Sequence, residues 1–418
     1  MRNPTPLALA ALLLGTPVSA QVAVAPSSQT LPEPAITGGV LRDATLWEAP
    51  GNSASSLLLT AYENANTGLV TFGLDGQQVD AELAEGPMSA VAVLDGFLVS
   101  GVEQTLVVAA SLNANGLTAF TVDTGRADRV VRLGAPGFVT GRQFSAVALH
   151  RSQDSGRFYL FAGGADGFLQ QYELSGDLGA VTATPVRSLR TSGAVVGLVV
   201  DEATESLFVT QQGQGLWRYS TEPDDDGEGQ QLAASGGTQL STNVGRVGLY
   251  RARNGEGYIL VADPGANAFA VFERRARTFV GTFQLATDGG VISANAPLAL
   301  AVSAQRMGTS FPDGLFAGSD ALSSPQNLKL ASWAAVADAF EPPLRVDTRS
   351  DSDGGTDGGT DGGPGDGGGV IGGPGPQPQP GWNPPSDDSG CSCASASVPS
   401  TALLALLALV RLGRRRRD

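Results

Sequence analysis

A six-bladed β-propeller, each blade a four-stranded antiparallel sheet, is the all-β fold this sequence predicts. Three observations predict it. A hairpin pattern recurs six times. The copies are spaced at about the length of four short strands. The composition is that of β structure, with 56 glycines in 418 residues, 42% hydrophobic and only 6% aromatic. Val, Leu and Thr alternate with turn residues, and helix formers do not dominate.

Each copy is an apolar strand, a Gly/Asn/Asp turn and a second, alternating strand. In chain order they are "LLLTAYENANTGLVTFGL" (57–74), "TLVVAASLNANGLTAFTV" (105–122), "FYLFAGGADGFLQQYEL" (158–174), "SLFVTQQGQGLWRYS" (206–220), "YILVADPGANAFAVFE" (258–273) and "GLFAGSDALSSPQNLKLASW" (314–333). The second strands begin at Leu69, Leu117, Phe168, Leu216, Phe269 and Leu328, at intervals of 48, 51, 48, 53 and 59 residues. A repeat of roughly 40 to 50 residues with a hairpin in each copy is the signature of a propeller. Alternation along each strand turns apolar side chains toward the neighbouring blades. Trp217 and Tyr219, in "QQGQGLWRY", are therefore expected to pack between blades. The repeats place the propeller at residues 35–345, as a monomer.

The two ends lie outside the repeats. Residues 1–20 have a basic Arg2, an apolar stretch from Leu7 to Leu14 and small residues before Gln21. That layout predicts a signal peptide for export. Residues 346–390 are rich in Gly, Asp, Pro and Ser, cannot bury a core and are expected to form an acidic linker. Residues 391–418 hold Cys391 and Cys393, a short apolar run from Val398 to Val410, then Arg411 and Arg414–Arg417. With Gly390 just ahead of it, this segment resembles a myxosortase-type C-terminal sorting signal. The resemblance implies processing at Cys391, retention at the cell surface or outer envelope, and membrane contact through this segment alone.

The chain carries a net charge of −15. So acidic a protein argues against nucleic acid as a partner. Its only lysine is Lys329 and its only histidine His150. A Ser-His-Asp site would have to use that histidine, and no Gly-x-Ser-x-Gly elbow is present. His150 is expected to be structural. The acids of "EPDDDGEG" (222–229) are expected to form a solvated turn.

The segments "DATLW" (43–47), "TGLVTFGLDG" (67–76), "DGFLQQYEL" (166–174), "VVGLVVDEATESLFVTQQGQGLWRY" (195–219), "GEGYILVADPGANAFAVFER" (255–274), "FPDGLF" (311–316) and "QNLKLASW" (326–333) run in the order and spacing of the β-propeller phytases. By these segments the chain resembles that family. The resemblance implies calcium-dependent hydrolysis of phosphate monoesters such as phytate. Calcium ions on an acidic face would bridge carboxylates and substrate phosphates and activate water. The partner so implied is a phosphorylated small molecule.

The chain departs from the family where that chemistry would sit. A paired Asp-Asp becomes Arg42-Asp43. The phosphate-binding Lys of the first hairpin falls near Ala65 or Asn66. An Arg-x-Asn-Asn-Val-Asp segment becomes "PMSAVA" (87–92). The acid before the fourth-blade glycine becomes Val196, and a Glu-Glu pair becomes Gln211-Gln212. An Asp-Ile-Glu-Gly segment becomes Asn243-Val244-Gly245-Arg246, and an Asp-Gly-Ile-Asp segment becomes "LALA" (298–301). What remains is Asp43, Asp201 and Asp320 as candidate metal ligands, Asp313, and Lys329 as a candidate substrate-binding residue. Amides bind a hard divalent cation less well than carboxylates. The expectation is a phytase-like propeller with its activity lost or weakened. The alternatives are a non-catalytic propeller that binds a ligand or partner, and a calcium-dependent lactonase or esterase.

Overall fold

The computed structural model describes residues 21–347, apart from positions 34, 35, 37, 65, 66, 135, 136, 288, 289 and 292. The expected signal peptide, linker and sorting segment, with Cys391, lie outside the described residues, as does the site near Ala65 and Asn66. Six sheets of four or five strands are present, so the predicted blade number holds. Blade 1 comprises Val40–Trp47, Leu57–Glu63, Leu69–Phe72 and Gln78–Glu82. Blade 2 comprises Met88–Val99, Val102–Ser111, Gly116–Val122 and Val130–Arg132, with Val139–Thr140 added to its third strand. Blade 3 comprises Ala146–Arg151, Phe158–Gly163, Leu169–Ser175 and Thr182–Ser188. Blade 4 comprises Val195–Asp201, Ser206–Gln211, Gly215–Ser220 and Gln230–Ala234. Blade 5 comprises Val247–Arg251, Gly257–Asp263, Ala268–Glu273 and Phe279–Leu285. Blade 6 takes Leu300–Ser303, Leu315–Asp320 and Asn327–Ser332 from this end of the chain.

The sheets reach further toward the N-terminus than the expected start near residue 35. Ser28–Gln29 pairs antiparallel with Asn327–Ser332 and supplies the missing outer strand of blade 6. Val22–Val24 pairs parallel with the outer strand of blade 5, Val22 opposite Phe283. Joining the first residues to the last blade closes the ring and removes strand edges that would otherwise stay unpaired. The parallel addition, and the two five-stranded sheets, depart from the expected uniform antiparallel four.

The apolar core of the described residues is divided into six seams, one between each pair of neighbouring blades. The largest joins blades 5 and 6, where Phe269, Phe283 and Phe316 meet edge-on or stacked at 4.8–5.2 Å between ring centres. A short helix, Trp333–Asp338, follows blade 6. Ser332 Oγ caps it by accepting the Ala335 N–H at 3.2 Å. Trp333 stacks on Tyr250 at 4.0 Å and is fully buried. Tyr219 is buried in the seam between blades 3 and 4, with Trp217 packed against it, as the alternation predicts. Among the described residues no helix is long and apolar enough to cross a membrane.

Candidate functional site

The first strand of every blade is its innermost, and the six inner strands line a central channel with a cavity of about 300 Å³. Their side chains point into the seams, so the channel is walled by strand edges, which present backbone N–H and C=O groups. Near their starts, three of the six carry a register shift, at Leu41/Asp43, Met88/Ala90 and Val195/Gly197. Gly197 sits at this level in blade 4. A β-carbon there would come within 2.8 Å of the Arg246 Cα, so glycine is what lets the two blades approach so closely.

Arg246 dominates that end of the channel. Its side chain reaches across the ring and donates to the carbonyl oxygens of four other blades. These are Arg42 O at 2.9 Å, Ser89 O at 2.6 Å, Ser145 O and Val196 O. It also pairs with Asp43, Nε to Oδ1 at 3.2 Å. Both residues are over nine-tenths buried. Burial pushes the Asp43 carboxyl above the ordinary carboxylate range, opposed by the Arg246 charge and the N–H groups of Val91 and Ala44. Hydrogen bonds to a charged donor contribute about 1.5–3 kcal/mol each, so the four carbonyls offset much of the cost of burying the guanidinium.

The other sequence candidates are not gathered around Asp43. Asp320 lies at the same end of blade 6. It accepts from the N–H groups of Asn295 and Leu322, both at 3.1 Å, and from Ser323 Oγ at 2.5 Å, and it pairs with Lys329 at 3.5 Å. Lys329 is only 2% exposed and donates to Gln29 Oε1 at 2.6 Å. Burial lowers its pKa, against the pull of Asp320. The candidate substrate-binding lysine thus helps to fasten the N-terminal strand. Asp201 ends the inner strand of blade 4, at the far end of the channel, and is held by Arg274 through two bonds at 2.7 and 2.5 Å. Asp313 lies in the turn Phe311–Gly314 that precedes the second strand of blade 6, also at the far end.

Gln211 and Gln212 occupy the positions where the sequence resemblance leads to the expectation of two acids. Gln211 is fully buried. Its Oε1 accepts from the N–H groups of Ser192 and Gly193 at 2.8 and 3.1 Å, and its Nε2 donates to the Tyr219 hydroxyl at 3.0 Å. That hydroxyl already donates to Arg190 O at 2.6 Å, so it can only accept from residue 211. An amide meets this requirement, whereas a carboxylate has no N–H to give. Gln212 donates to Thr242 O and Asn243 Oδ1 at 3.3 and 3.1 Å.

Further acids near this end of the ring carry their own cations: Glu63 with Arg42, Glu85 with Arg132, Asp166 with Arg142 and Glu228 with Arg190. Arg142 also lies over the Phe168 ring at 4.0 Å. In the 222–229 turn, Asp225 and Asp226 accept backbone N–H groups from within the turn itself. A calcium ion takes six to eight oxygen ligands, drawn from carboxylates, carbonyls and water. Among the described residues no three His, Cys, Asp or Glu side chains converge to hold a metal ion. Asp43, Glu63, Glu85, Asp166 and Glu228 are paired with arginines and Asp320 with Lys329. This donor set does not fit calcium.

At the far end, His150 is completely buried against Tyr159 and Phe161. Its Nε2 meets Glu222 Oε1 at 3.3 Å, while Ser152 Oγ donates to Glu222 Oε2 at 3.0 Å. Serine and histidine share one carboxylate and do not bond each other, so no nucleophile–base pair forms. Burial lowers the His150 pKa below its ordinary 6.5, against the Glu222 hydrogen bond and the charges of Glu202 and Glu222. The unfolded chain then binds the proton more readily, so this contribution to stability is complete above pH 6.5 and is lost as pH falls below it. The urea midpoint of the parent is expected to drop more between neutral and mildly acid pH than that of His150→Phe. Equal drops would show that other groups carry the dependence.

Arg246 and Arg274 were not candidates from the sequence. Arg246 had one weak signal, its place where the family pattern has a glycine. A family model described as Phytase matches residues 10–353 of this chain. Among curated proteins, the 3-phytase of Bacillus subtilis (strain 168) is 27% identical over 309 residues, which cover 71% of this chain and 80% of that protein.

Proposed function

Since the chain belongs to the phytase family, we propose that it is an exported, surface-retained phytase-like propeller whose calcium-dependent hydrolysis of phosphate monoesters is lost or severely weakened. Its remaining role is then the binding of a ligand or partner at the cell surface. One observation carries this reading. At the end of the ring where the inner strands begin, Asp43 and Asp320 are each neutralised by a buried cation, Arg246 and Lys329. A carboxylate committed in this way has little left to offer a metal ion, and freeing it would strand its partner as an unpaired buried charge. The family chemistry needs several carboxylates at once to position cations on a phosphate ester.

The apolar replacements support the same reading. Ala90, Ala92 and Ala301 are buried in the seams at positions where the family resemblance implies polar residues. They stabilise blade packing and contribute nothing that binds phosphate. The acidic surface disfavours nucleic acid as the partner.

Phosphate release from phytate by the purified chain, with millimolar calcium and with chelator, tests the proposal. The expected result is release at background in both. Robust release that chelator abolishes would overturn the loss of activity. It would point to a site built from residues other than Asp43 and Asp320.

A further inference from the structure

The hub of the ring poses an electrostatic problem of its own. At the starts of the inner strands of four blades, carbonyl oxygens surround one guanidinium: Arg42 O, Ser89 O, Ser145 O and Val196 O. A fifth oxygen, Asp43 Oδ1, lies beside them. The other Asp43 oxygen accepts the Val91 N–H at 3.1 Å, which fixes the carboxylate in place. Five convergent oxygens, one of them anionic, repel one another unless a cation stands among them. Hard cations are bound by this kind of set, carbonyls plus a carboxylate.

We propose that the hub is a cation site that the chain fills with the guanidinium of Arg246, so that ring closure is independent of calcium, and that removing this side chain opens the site to a calcium ion. Arg246 suits the place because its planar group carries five N–H donors and stays charged when buried. It comes from a fifth blade, so one side chain ties five of the six inner strands together. Gly197 makes room for its backbone, and Thr210 Oγ1 donates to Gly245 O at 2.6 Å to hold the segment that delivers it. The proposal does not depend on whether the ring hydrolyses phosphate esters.

The test compares the full chain with Arg246→Ala and Arg246→Gln by calcium titration calorimetry, and by thermal melting in calcium and in chelator. A cation that binds only the folded state raises its melting temperature. Both variants are expected to melt below the parent in chelator. Each should take up one more calcium equivalent than the parent and regain part of the lost melting temperature in calcium. The glutamine variant keeps the side-chain bulk and serves if the alanine variant folds poorly. Equal calcium uptake by parent and variants would overturn the proposal. So would failure of both variants to recover a folded state in calcium.

Discussion

Asp201→Ala is expected to lower the stability of the propeller by about 3–5 kcal/mol, the usual cost of leaving one partner of a buried ion pair alone. Arg274 is 2% exposed and Asp201 is 0% exposed, so water cannot take the place of the lost carboxylate. The guanidinium also donates to the Ala252 and Glu256 carbonyls, at 3.4 and 3.0 Å, and so cannot swing out without breaking the turn between the first two strands of blade 5. Urea unfolding of parent and variant measures the loss. The double variant Asp201→Leu with Arg274→Met removes both charges and should lose much less than the single variant. A double variant as unstable as the single one would mean that shape, and not the stranded charge, decides. The pair also has a pH signature. Burial alone would raise the Asp201 carboxyl, but the Arg274 guanidinium, helped by Thr204 and Arg251, holds it below its ordinary 3.8. Its contribution is therefore present above that pH and is lost as the pH falls below it.

Phe283→Ala should cost about 3–5 kcal/mol as well, by a different route, since it empties a core position that its neighbours can refill only in part. Phe283 is fully buried, within 5.2 Å of the Phe269 ring, 5.0 Å of Phe316 and 6.3 Å of Phe340. It stands opposite Val22 in the parallel pair that joins the N-terminal strand to blade 5. The cavity would loosen a seam and a closure at once. A shift of the urea midpoint with an unchanged slope is expected, and Phe283→Leu should recover most of it. A loss below about 1 kcal/mol would show that blades 5 and 6 repack freely.

The blades were legible because a hairpin is a local event. "TQQGQGLWRY" spells out its own turn: Gly213 and Gly215 take φ values of +70° and +99°, and a β-carbon at 215 would come within 2.1 Å of Ala233 O. Such preferences act over a few residues, and six copies repeat them. The third strands of the blades accordingly begin within one residue of the predicted positions.

The state of the site was legible only in part. That Val196, Gln211 and Gln212 stand at positions expected to hold acids is implied by the family resemblance of the sequence. That Gln211 is needed as a donor to Tyr219 cannot, because it depends on where the tyrosine proton already goes. The sequence by itself determined the six blades and the family, through local periodicity and segment order. Only the tertiary structure decided how the ring closes and what each surviving acid does. Ser28–Gln29 meets a strand some 300 residues away, Arg274 reaches Asp201 across 73 positions, and Arg246 reaches Arg42 across 204. A buried charge takes whatever counter-ion the fold brings within reach, and separation along the chain carries no trace of that choice.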